Sequence, residues 1–467
     1  MTAHSSRSNS TGSLPPTTSF WLQARRPMAG WQIRAEVVII AISICDTARY
    51  SKMRQVYPLP LNVANDTKEA DKFFNKHMIE WDQNYAYVNV PLACLMTIIL
   101  GAYSDRNGRK LSMLVGLCGM LLGNAVYILV WWKRTNLRLE FVFFAAVLDG
   151  LCGGFRLVIS AVNAFLSDQF EAKRTLSIRM IVTYTLLNVG DLLGSQLTNA
   201  AILLGSNEVV VMLVVEGILV FTIVYVLLVI HDFMSLERSE AENRRNALLA
   251  CWHVVGDAFR SLACSFRVLA RKRPDSRRLL LLLILLCAFI NRLAFSEEKS
   301  LIGTYTKLPP FEWTTRDYAT YKTVRPFLQI IGLLFGLFVL KGWLRLRDSL
   351  ILLIATFSMG LDALLIGLAW NSLLIYASLT VGFMHALVNP LSYTLLSCVA
   401  ESKEMGRVYA VDTVVDNLAF FLRTAILQSV YTATNFIWFV LASMGVFSAS
   451  IFAVVHVISR RRNVFGE

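Results

Sequence analysis

Charged residues are scarce in this chain of 467 residues, and their scarcity limits the class of protein it can be. Only 16% of the residues are Asp, Glu, Lys or Arg, whereas 55% are hydrophobic. The mean hydropathy of +0.54 is high for a soluble globular protein. This composition is typical of an integral membrane protein, whose outer surface faces lipid.

Motifs of several other classes are also missing. The sequence contains no G-x-S-x-G, HExxH or phosphate-binding glycine loop, so nothing in it favours an enzyme. None of the eight cysteines falls in a predicted outer loop, and no CxxC or Cys/His spacing predicts a metal site or a disulfide framework. We expect no cofactor. The net charge of +13 is spread between apolar runs instead of forming one basic patch, which argues against nucleic-acid binding.

Apolar segments long enough to cross a bilayer are, by contrast, abundant. They form two sets of six, separated by a polar linker at 232–278. The first set lies near 33–54, 84–104, 111–132, 140–165, 176–203 and 208–231. The second set lies near 279–303, 319–340, 349–369, 372–397, 407–430 and 434–458. The pattern predicts an all-α integral membrane protein with twelve transmembrane helices in two pseudo-symmetric six-helix bundles.

The segments around these spans complete the predicted domain organisation. Residues 1–30 are rich in Ser, Thr and Pro and predict a disordered cytosolic tail. The two bundles cover 31–231 and 279–459, and a short cytosolic tail covers 460–467. Lys and Arg concentrate in alternate connections and in that last tail, which predicts that both termini are cytosolic. The sequon at Asn65 lies in a predicted outer loop, where we expect it to carry a glycan.

The connection between the second and third spans reads GAYSDRNGRK, from Gly101 to Lys110. A connection this short and basic is expected on the cytosolic side. We predict that Gly101 lets the second span pack closely on the eleventh. Asp105 would then face the N-terminus of the eleventh span, where backbone N–H groups point outward, and Arg109 would clamp Asp105. We call the predicted gating residues the latch: Gly101, Asp105, Arg106, Gly108 and Arg109.

The pattern GxxxDRxGRK resembles the signature loop of major facilitator superfamily transporters. Other segments resemble the proton-coupled folate transporter family (solute carrier family 46), and they occur in the expected order along the chain. These segments are Asp168 with Arg174-Thr175 and Arg179-Met180, then 301–313 (LIGTYTKLPPFEW), then 429–436 (SVYTATNF). The resemblance implies a solute carrier with two six-helix bundles around a central cavity, which moves a small organic solute by alternating access.

Departures from the family pattern limit what the resemblance implies. Tyr184 stands where the folate transporter has an acidic residue in helix 5. Phe295 replaces a His of helix 7 implicated in proton coupling, and Tyr393 replaces an Arg of helix 10 important for folate handling. The resemblance therefore implies the fold and the transporter class, but not folate. The candidate solutes by resemblance are folates, cyclic dinucleotides and muropeptide fragments, with folates disfavoured.

Ionisable residues inside the spans supply the candidate binding site, because a charge at mid-bilayer is costly unless it faces a wet cavity or a partner. A planar guanidinium suits carboxylate and phosphate groups. We therefore predict that the solute is bound by Arg292, its neighbour Asn291, Arg156 and Arg423. A structural alternative is that two pairs, each seven residues apart on one helical face, neutralise each other: Asp149 with Arg156, and Asp416 with Arg423.

Three other residues are candidates for proton coupling. Asp46 has no obvious partner nearer than Arg49, and burial raises the pKa of a carboxyl toward neutrality. Asp191 and His385 also lie inside spans, and a histidine titrates near physiological pH, although a lone histidine is as often a packing residue.

Taken together, the sequence predicts a transporter for a small, anionic organic solute, coupled to protons as a symporter. We expect a monomer or weak homo-oligomer in the plasma membrane or, alternatively, the lysosomal membrane. The alternative from another class is a non-transporting membrane receptor or scaffold that keeps the same fold.

Overall fold

The computed structural model of the protein describes most of both predicted bundles. The described residues are 38, 41, 67–132, 134–135, 137–170, 172–203, 208–230, 269–271, 273, 276–295, 302–303, 305–306, 310–313, 315–401, 404–433 and 436–462. Some predictions lie outside them, including those for the tail 1–30, Asp46, Asn65 and most of the linker 232–278.

The described part is helical and contains no strand. Its first-half helices are α1 (Thr67–Asn107), α2 (Lys110–Trp131), α3 (Val142–Leu151), α4 (Gly154–Gln169), α5 (Lys173–Leu203) and α6 (Glu208–Val229). Its second-half helices are α7 (Arg277–Phe295), α8 (Thr315–Phe335), α9 (Asp348–Gly367), α10 (Ser372–Val381), α11 (Val388–Val399), α12 (Met405–Ala433) and α13 (Ile437–Arg462). Apolar runs form these helices because a helix satisfies its own backbone hydrogen bonds inside lipid.

Nine spans of the described residues are long and apolar enough to cross a membrane. Two of the nine each combine a pair of helices, α3 with α4 and α10 with α11. Helices α7 and α12 are not among the nine, although they contain 19 and 29 residues. These two helices carry most of the ionisable residues predicted to bind solute.

The two halves of the chain meet along a few helices. α12 packs against α1 and α4, while α5 packs against α8 and α11. Within the second half, α7 packs against α11, α12 and α13. Helices α1, α4 and α5 of the first half and α8, α11 and α12 of the second half therefore form the contact between the halves, and α7 packs against α11 and α12.

Two predicted spans are interrupted in the structure. The span predicted at 140–165 breaks between α3 and α4, where Gly153 and Gly154 have φ of +76° and +56°. Residues with side chains rarely adopt this left-handed conformation, so the two glycines allow the break. The span predicted at 372–397 breaks at a 3-10 segment, Phe383–Leu387, between α10 and α11. Broken helices inside a membrane are tolerated where protein covers the freed backbone groups or where they line a cavity.

Candidate functional site

Helix α12 carries the ionisable residues of the candidate site on one face. Asp412, Asp416 and Phe420 follow one another at intervals of four residues, and Arg423 follows one turn later. Residues at this spacing share a helical face. Asp412, Asp416 and Arg423 are only 4%, 7% and 4% exposed. The structure therefore buries both signs of charge on a helix between the two halves, and we call these four residues the α12 face.

Arg292 of α7 pairs with the α12 face. Its Nη2 atom lies 3.0 Å from Oδ2 of Asp416. The Asp416 side chain is 9% exposed, whereas the Arg292 side chain keeps 32% of its surface accessible. The cation of the pair is thus the more accessible partner. Because the pair is poorly solvated, removing either member would leave an uncompensated charge.

Asp412 lies one turn from Asp416 and close to a tyrosine. Tyr393 of α11 interacts electrostatically with Asp412. The Asp412 Oδ1 atom is buried and has no hydrogen-bond partner among the described residues. Tyr393 is fixed in turn by Tyr409, whose hydroxyl donates to the Tyr393 carbonyl at 3.1 Å. The site therefore contains a carboxylate oxygen that can accept one more hydrogen bond or a proton.

Tyr184 and Tyr393 stack across the two halves. Their ring centroids are 6.2 Å apart with an interplanar angle of 26°. The Tyr184 hydroxyl accepts a hydrogen bond from Asn163 Nδ2 at 3.3 Å. These are the two positions where the resemblance places an acidic residue and an arginine in the folate transporter. The structure thus places Tyr184 and Tyr393, two of the departures from the family pattern, in one aromatic contact.

Arg156 of α4 reaches the same face of α12 from the other half. Its Nη1 donates a hydrogen bond to Oδ1 of Asn417. Its guanidinium also lies 4.5 Å from the centre of the Phe420 ring, and the guanidinium of Arg423 lies 4.7 Å from that centre. One aromatic ring therefore contacts two cations, and cation–π attraction stabilises both. The predicted binding residues Arg156, Arg292 and Arg423 all contact α12 residues or belong to α12.

The structural alternative for the first pair assumes one continuous helical face. The break at Gly153 and Gly154 places Asp149 and Arg156 on separate helices, so that premise is wrong. Asp149 accepts a hydrogen bond from Asn89 Nδ2 at 3.1 Å. For the second pair, Asp416 binds Arg292 of α7, so its described ion pair is not with Arg423.

Asn291 has the burial expected of a binding residue. It is 6% exposed, and neither its amide nitrogen nor its amide oxygen has a hydrogen-bond partner among the described residues. An unpaired buried amide is costly, so this position favours a ligand that supplies the missing hydrogen bonds. Asp191 and His385 are both half-buried, on α5 and in the 3-10 segment before α11. Tyr184, two turns before Asp191 on α5, interacts electrostatically with Asp412 and Asp416 of the α12 face.

The latch residues meet the start of α12. Asp105 Oδ1 accepts from the Gly406 amide at 2.6 Å, and Oδ2 accepts from the Arg407 amide at 2.9 Å. Arg109 Nη1 lies 2.8 Å from Asp105 Oδ1, and its Nε lies 2.8 Å from Asp168. Burial alone would lower the pKa of Arg109, but Asp168 and Asp105 outweigh it and raise the pKa. Arg109 therefore stays charged and holds both carboxylates.

The glycines of the signature loop allow this close contact. A Cβ atom on Gly101 would lie 2.3 Å from the Ala410 Cβ and 3.2 Å from the Gly406 carbonyl oxygen. Gly108 has φ of +95°, which a side chain would strain. Arg106 belongs to α1, and its side chain lies outside the described atoms.

Further cations contact the C-terminal end of α11 at the same end of the protein. Lys173, at the start of α5, donates to the Ser397 carbonyl near the end of α11 at 3.0 Å. Arg273, before α7, donates to the Val399 carbonyl at 2.9 Å and pairs with Glu404 at 3.2 Å. A cation near a helix C-terminus satisfies free carbonyls and the helix dipole. The latch and Lys173 therefore hold the first half to both α11 and α12.

Several site residues were not predicted from the sequence. Asn417 and Phe420 bind the predicted arginines, and the helical spacing of Asp412, Asp416 and Phe420 is the signal that could have found this face. Asp168 completes the latch, but it lies 59 residues from Arg109, so no local spacing connects them.

Comparison with known proteins is consistent with this geometry. The sequence model described as "Major Facilitator Superfamily" matches residues 75–423, well over half of the chain. The chain belongs to the Major Facilitator Superfamily. The predicted superfamily fold and the prediction of a membrane transporter are confirmed. Members and relatives are transporters, so the expectation that the chain is not an enzyme is confirmed as well.

The curated relatives include members of solute carrier family 46. The chain is 20% identical over 381 residues to the "Probable peptidoglycan muropeptide transporter SLC46" of Drosophila melanogaster, covering 80% of this chain and 71% of that protein. It is 22% identical over 351 residues to the "Proton-coupled folate transporter" of Bos taurus, covering 74% and 72%. The predicted resemblance to this family is confirmed at low identity.

Solved structures of transporters share the fold. The human organic anion transporter MFSD10 (TETRAN) aligns with a TM-score of 0.62 at 15% identity, covering 92% of this chain and 99% of that one. The proton:xylose symporter XylE aligns with a TM-score of 0.64 at 12% identity, covering 89% and 93%. At these identities the likeness shows the fold alone.

Proposed function

We propose that this superfamily member transports a small organic anion by alternating access and couples the transport to protons as a symporter. The observation that supports this proposal most directly is the cluster that Arg156 of α4, Arg292 of α7 and Arg423 form with the α12 face. The anions of the α12 face are Asp412 and Asp416. These three arginines and two aspartates together carry one positive charge.

The chemistry of the cluster favours a solute with a carboxylate or phosphate group. A guanidinium can offer two parallel N–H donors to such a group. Buried Asn291 adds an amide whose hydrogen-bonding atoms are unused by the described residues. One relative is named a probable muropeptide transporter, and one structural neighbour is named an organic anion transporter. Both names support an anionic solute here. Between the candidate solutes, muropeptide fragments are favoured over folates, because Tyr184 and Tyr393 form an aromatic contact where the folate transporter has charged residues.

The latch supplies the gate in this proposal. Asp105 holds the start of α12, and Lys173 holds the end of α11. Closing these contacts seals one end of the interface between the halves, and opening them exposes the cluster to that end. From the charge distribution we place the latch, the linker and both termini in the cytosol. The full structure then has twelve spans in two bundles at 31–231 and 279–459.

Uptake into proteoliposomes tests the proposal. Purified protein is screened against a panel that contains muramyl dipeptide, a cyclic dinucleotide, folate and a neutral sugar, with and without an inward proton gradient. We expect uptake of at least one anion, stimulated by the gradient, and no uptake of the sugar. The double variant Asp105→Asn/Lys173→Ala serves as a control. It alters the gate, and it leaves the arginine cluster proposed to bind the solute intact. If no anion is taken up but an anion still binds, the receptor alternative gains support.

A further inference from the structure

We propose that Asp416 carries the coupled proton, and that solute binding loads it by taking Arg292 away from it. This inference rests on the proposed function, since it assigns the proton step to the same site. It differs from the residues that the sequence suggests for proton coupling, which are Asp46, Asp191 and His385.

Arg292 is the ionic partner of Asp416. Arg292 Nη2 lies 3.0 Å from Asp416 Oδ2, and the Arg292 side chain is the more accessible member of the pair. A solute carboxylate that enters the site therefore meets Arg292 before Asp416. The solute and Asp416 then compete for the same N–H donors, because a guanidinium cannot offer its best bidentate geometry to both.

Asp416 loses its ionic partner once Arg292 turns to the solute. Asp416 is 7% exposed and lies one helical turn from Asp412, which is 4% exposed. With Arg292 turned away, Arg156 is the cation that remains within electrostatic range of Asp416, and two neighbouring carboxylates in a poorly solvated site then favour uptake of one proton. The unpartnered Asp412 Oδ1 gives the pair a second acceptor for that proton.

Other groups around Asp412 and Asp416 influence their protonation. From α4, Arg156 lies within electrostatic range of Asp416. From α11 and α5, Tyr393 and Tyr184 interact with both aspartates, and from α1, Cys94 lies near Arg156 and Asn417. Arg423 on α12 contacts Phe420. With Asp412 and Asp416 both ionised, the five charges of the cluster sum to one positive charge, and a single proton raises this to two.

The cycle balances charge and protons. A monoanionic solute and one proton enter together: the solute binds Arg292, and the Asp416 carboxylate gains the proton from water on the proton-rich side. On the other side the proton leaves to water, the carboxylate returns to Arg292, and the solute is displaced. No covalent bond to carbon forms or breaks. For a monoanion, the step moves no net charge.

Infrared difference spectroscopy tests the proton site directly. Purified full-length protein in lipid is labelled with carbon-13 at the aspartate side-chain carboxyl, and the carbonyl band of protonated aspartic acid is followed as the pH falls. Muramyl dipeptide is then added at fixed pH. The variants are Asp416→Asn and Asp412→Asn, both nearly isosteric. The control is Glu216→Gln, an acid in α6 that Asn124 hydrogen-bonds at 2.6 Å, away from α12.

We expect wild type and Glu216→Gln to gain the protonated band on acidification and again on addition of muramyl dipeptide. Asp416→Asn should lose the gain on addition of muramyl dipeptide and the part of the acid-induced gain that belongs to Asp416, and Asp412→Asn should shift the acid titration. An unchanged band in Asp416→Asn overturns the inference, provided that the variant elutes as folded protein. If Asp416→Asn fails to fold, the acid titration of the aspartate band in Asp412→Asn is decisive. A titration unchanged from wild type would mean that Asp412 and Asp416 do not share a proton, and it would overturn the inference.

Transport measurements separate this inference from the proposed function. If wild type takes up no anion but the aspartate band titrates and depends on Asp416, the proton site stands and the solute class is wrong. If wild type takes up muramyl dipeptide and Asp416→Asn keeps the full acceleration by a proton gradient, the transporter proposal stands and Asp416 is not the carrier. The inference predicts instead that Asp416→Asn binds solute at least as well as wild type and ignores the gradient.

Discussion

Asp105 and Gly406 are 301 residues apart in sequence, yet the Asp105 carboxylate accepts the Gly406 amide hydrogen bond at 2.6 Å. The contact joins the end of α1 to the start of α12, and so one half of the protein to the other. A carboxylate at a helix N-terminus is stabilised by free N–H groups and by the helix dipole. In our proposal this contact is the main bond of the gate.

Asp105→Asn should open the latch end. The amide keeps one acceptor oxygen but loses the charge, and charge-assisted hydrogen bonds contribute about 1.5–3 kcal/mol each. We expect the open population to rise about tenfold or more. The readout is the rate of thiol labelling of Ser160→Cys, a 5% exposed residue of α4, in protein that lacks native cysteines. Asp168→Asn is the comparison, since Asp168 pairs with Arg109 whereas Asp105 accepts hydrogen bonds from the backbone of α12, and it should have the smaller effect. Equal labelling in Asp105→Asn and its parent would contradict the gating role.

Gly101→Ala should disturb the same gate by a steric route. The added methyl would lie 2.3 Å from the Ala410 Cβ, far inside contact distance. We expect faster labelling of Ser160→Cys and partial recovery in Gly101→Ala/Ala410→Gly. Gly217→Ala is the matched control, because a Cβ there meets nothing within 4 Å. A double variant that labels as fast as Gly101→Ala would argue that this contact does not limit closure.

Lys173→Ala tests the second contact between the halves. Lys173 donates to the Ser397 carbonyl at 3.0 Å, and Arg can donate to the same oxygen. Lys173→Ala should speed labelling of Ser160→Cys, and Lys173→Arg should restore most of the closed population. Arg174→Ala, an exposed neighbour, serves as the control. The idea fails if Lys173→Ala and Arg174→Ala behave alike.

Topology can be tested independently of transport. Epitope tags at residue 10, within 232–278 and after Glu467 should be accessible only after the plasma membrane is permeabilised, or on the cytosolic face of isolated lysosomes. Asn65→Gln should remove a glycan and increase gel mobility. A glycosylated linker, or a C-terminal tag on the non-cytosolic face, would reverse the proposed orientation.

The sequence predicts the latch well because its residues form a contiguous loop whose partner is another helix end. The signature loop alone indicates Asp105, Arg109 and the start of the eleventh span. The binding face is harder to predict, because its pairings depend on tertiary packing. Arg292 finds Asp416 on another helix, 124 positions along the chain.

The break before α4 shows a second limit of sequence reasoning. An apolar run with three glycines reads as one helix, so Asp149 and Arg156 seem to share a face. Positive φ at Gly153 and Gly154 places them on separate helices, where Asp149 accepts from Asn89 and Arg156 donates to Asn417. Apolar length predicts that the chain crosses the membrane, but it does not predict where the helix stops within the crossing.

The binding role of Arg292 is the central claim, and the apparent affinity for an anionic solute tests it most directly. Uptake of the best anion of the panel is measured over a range of concentrations for wild type, Arg292→Ala, Arg292→Lys and the control Arg174→Ala. Arg292→Ala should lose about 2–4 kcal/mol of binding free energy, more than tenfold in affinity, because a charge-assisted partner leaves a poorly solvated site. Arg292→Lys should recover only part of this loss, since an ammonium cannot replace the bidentate fork. Wild-type affinity in Arg292→Ala would contradict the account.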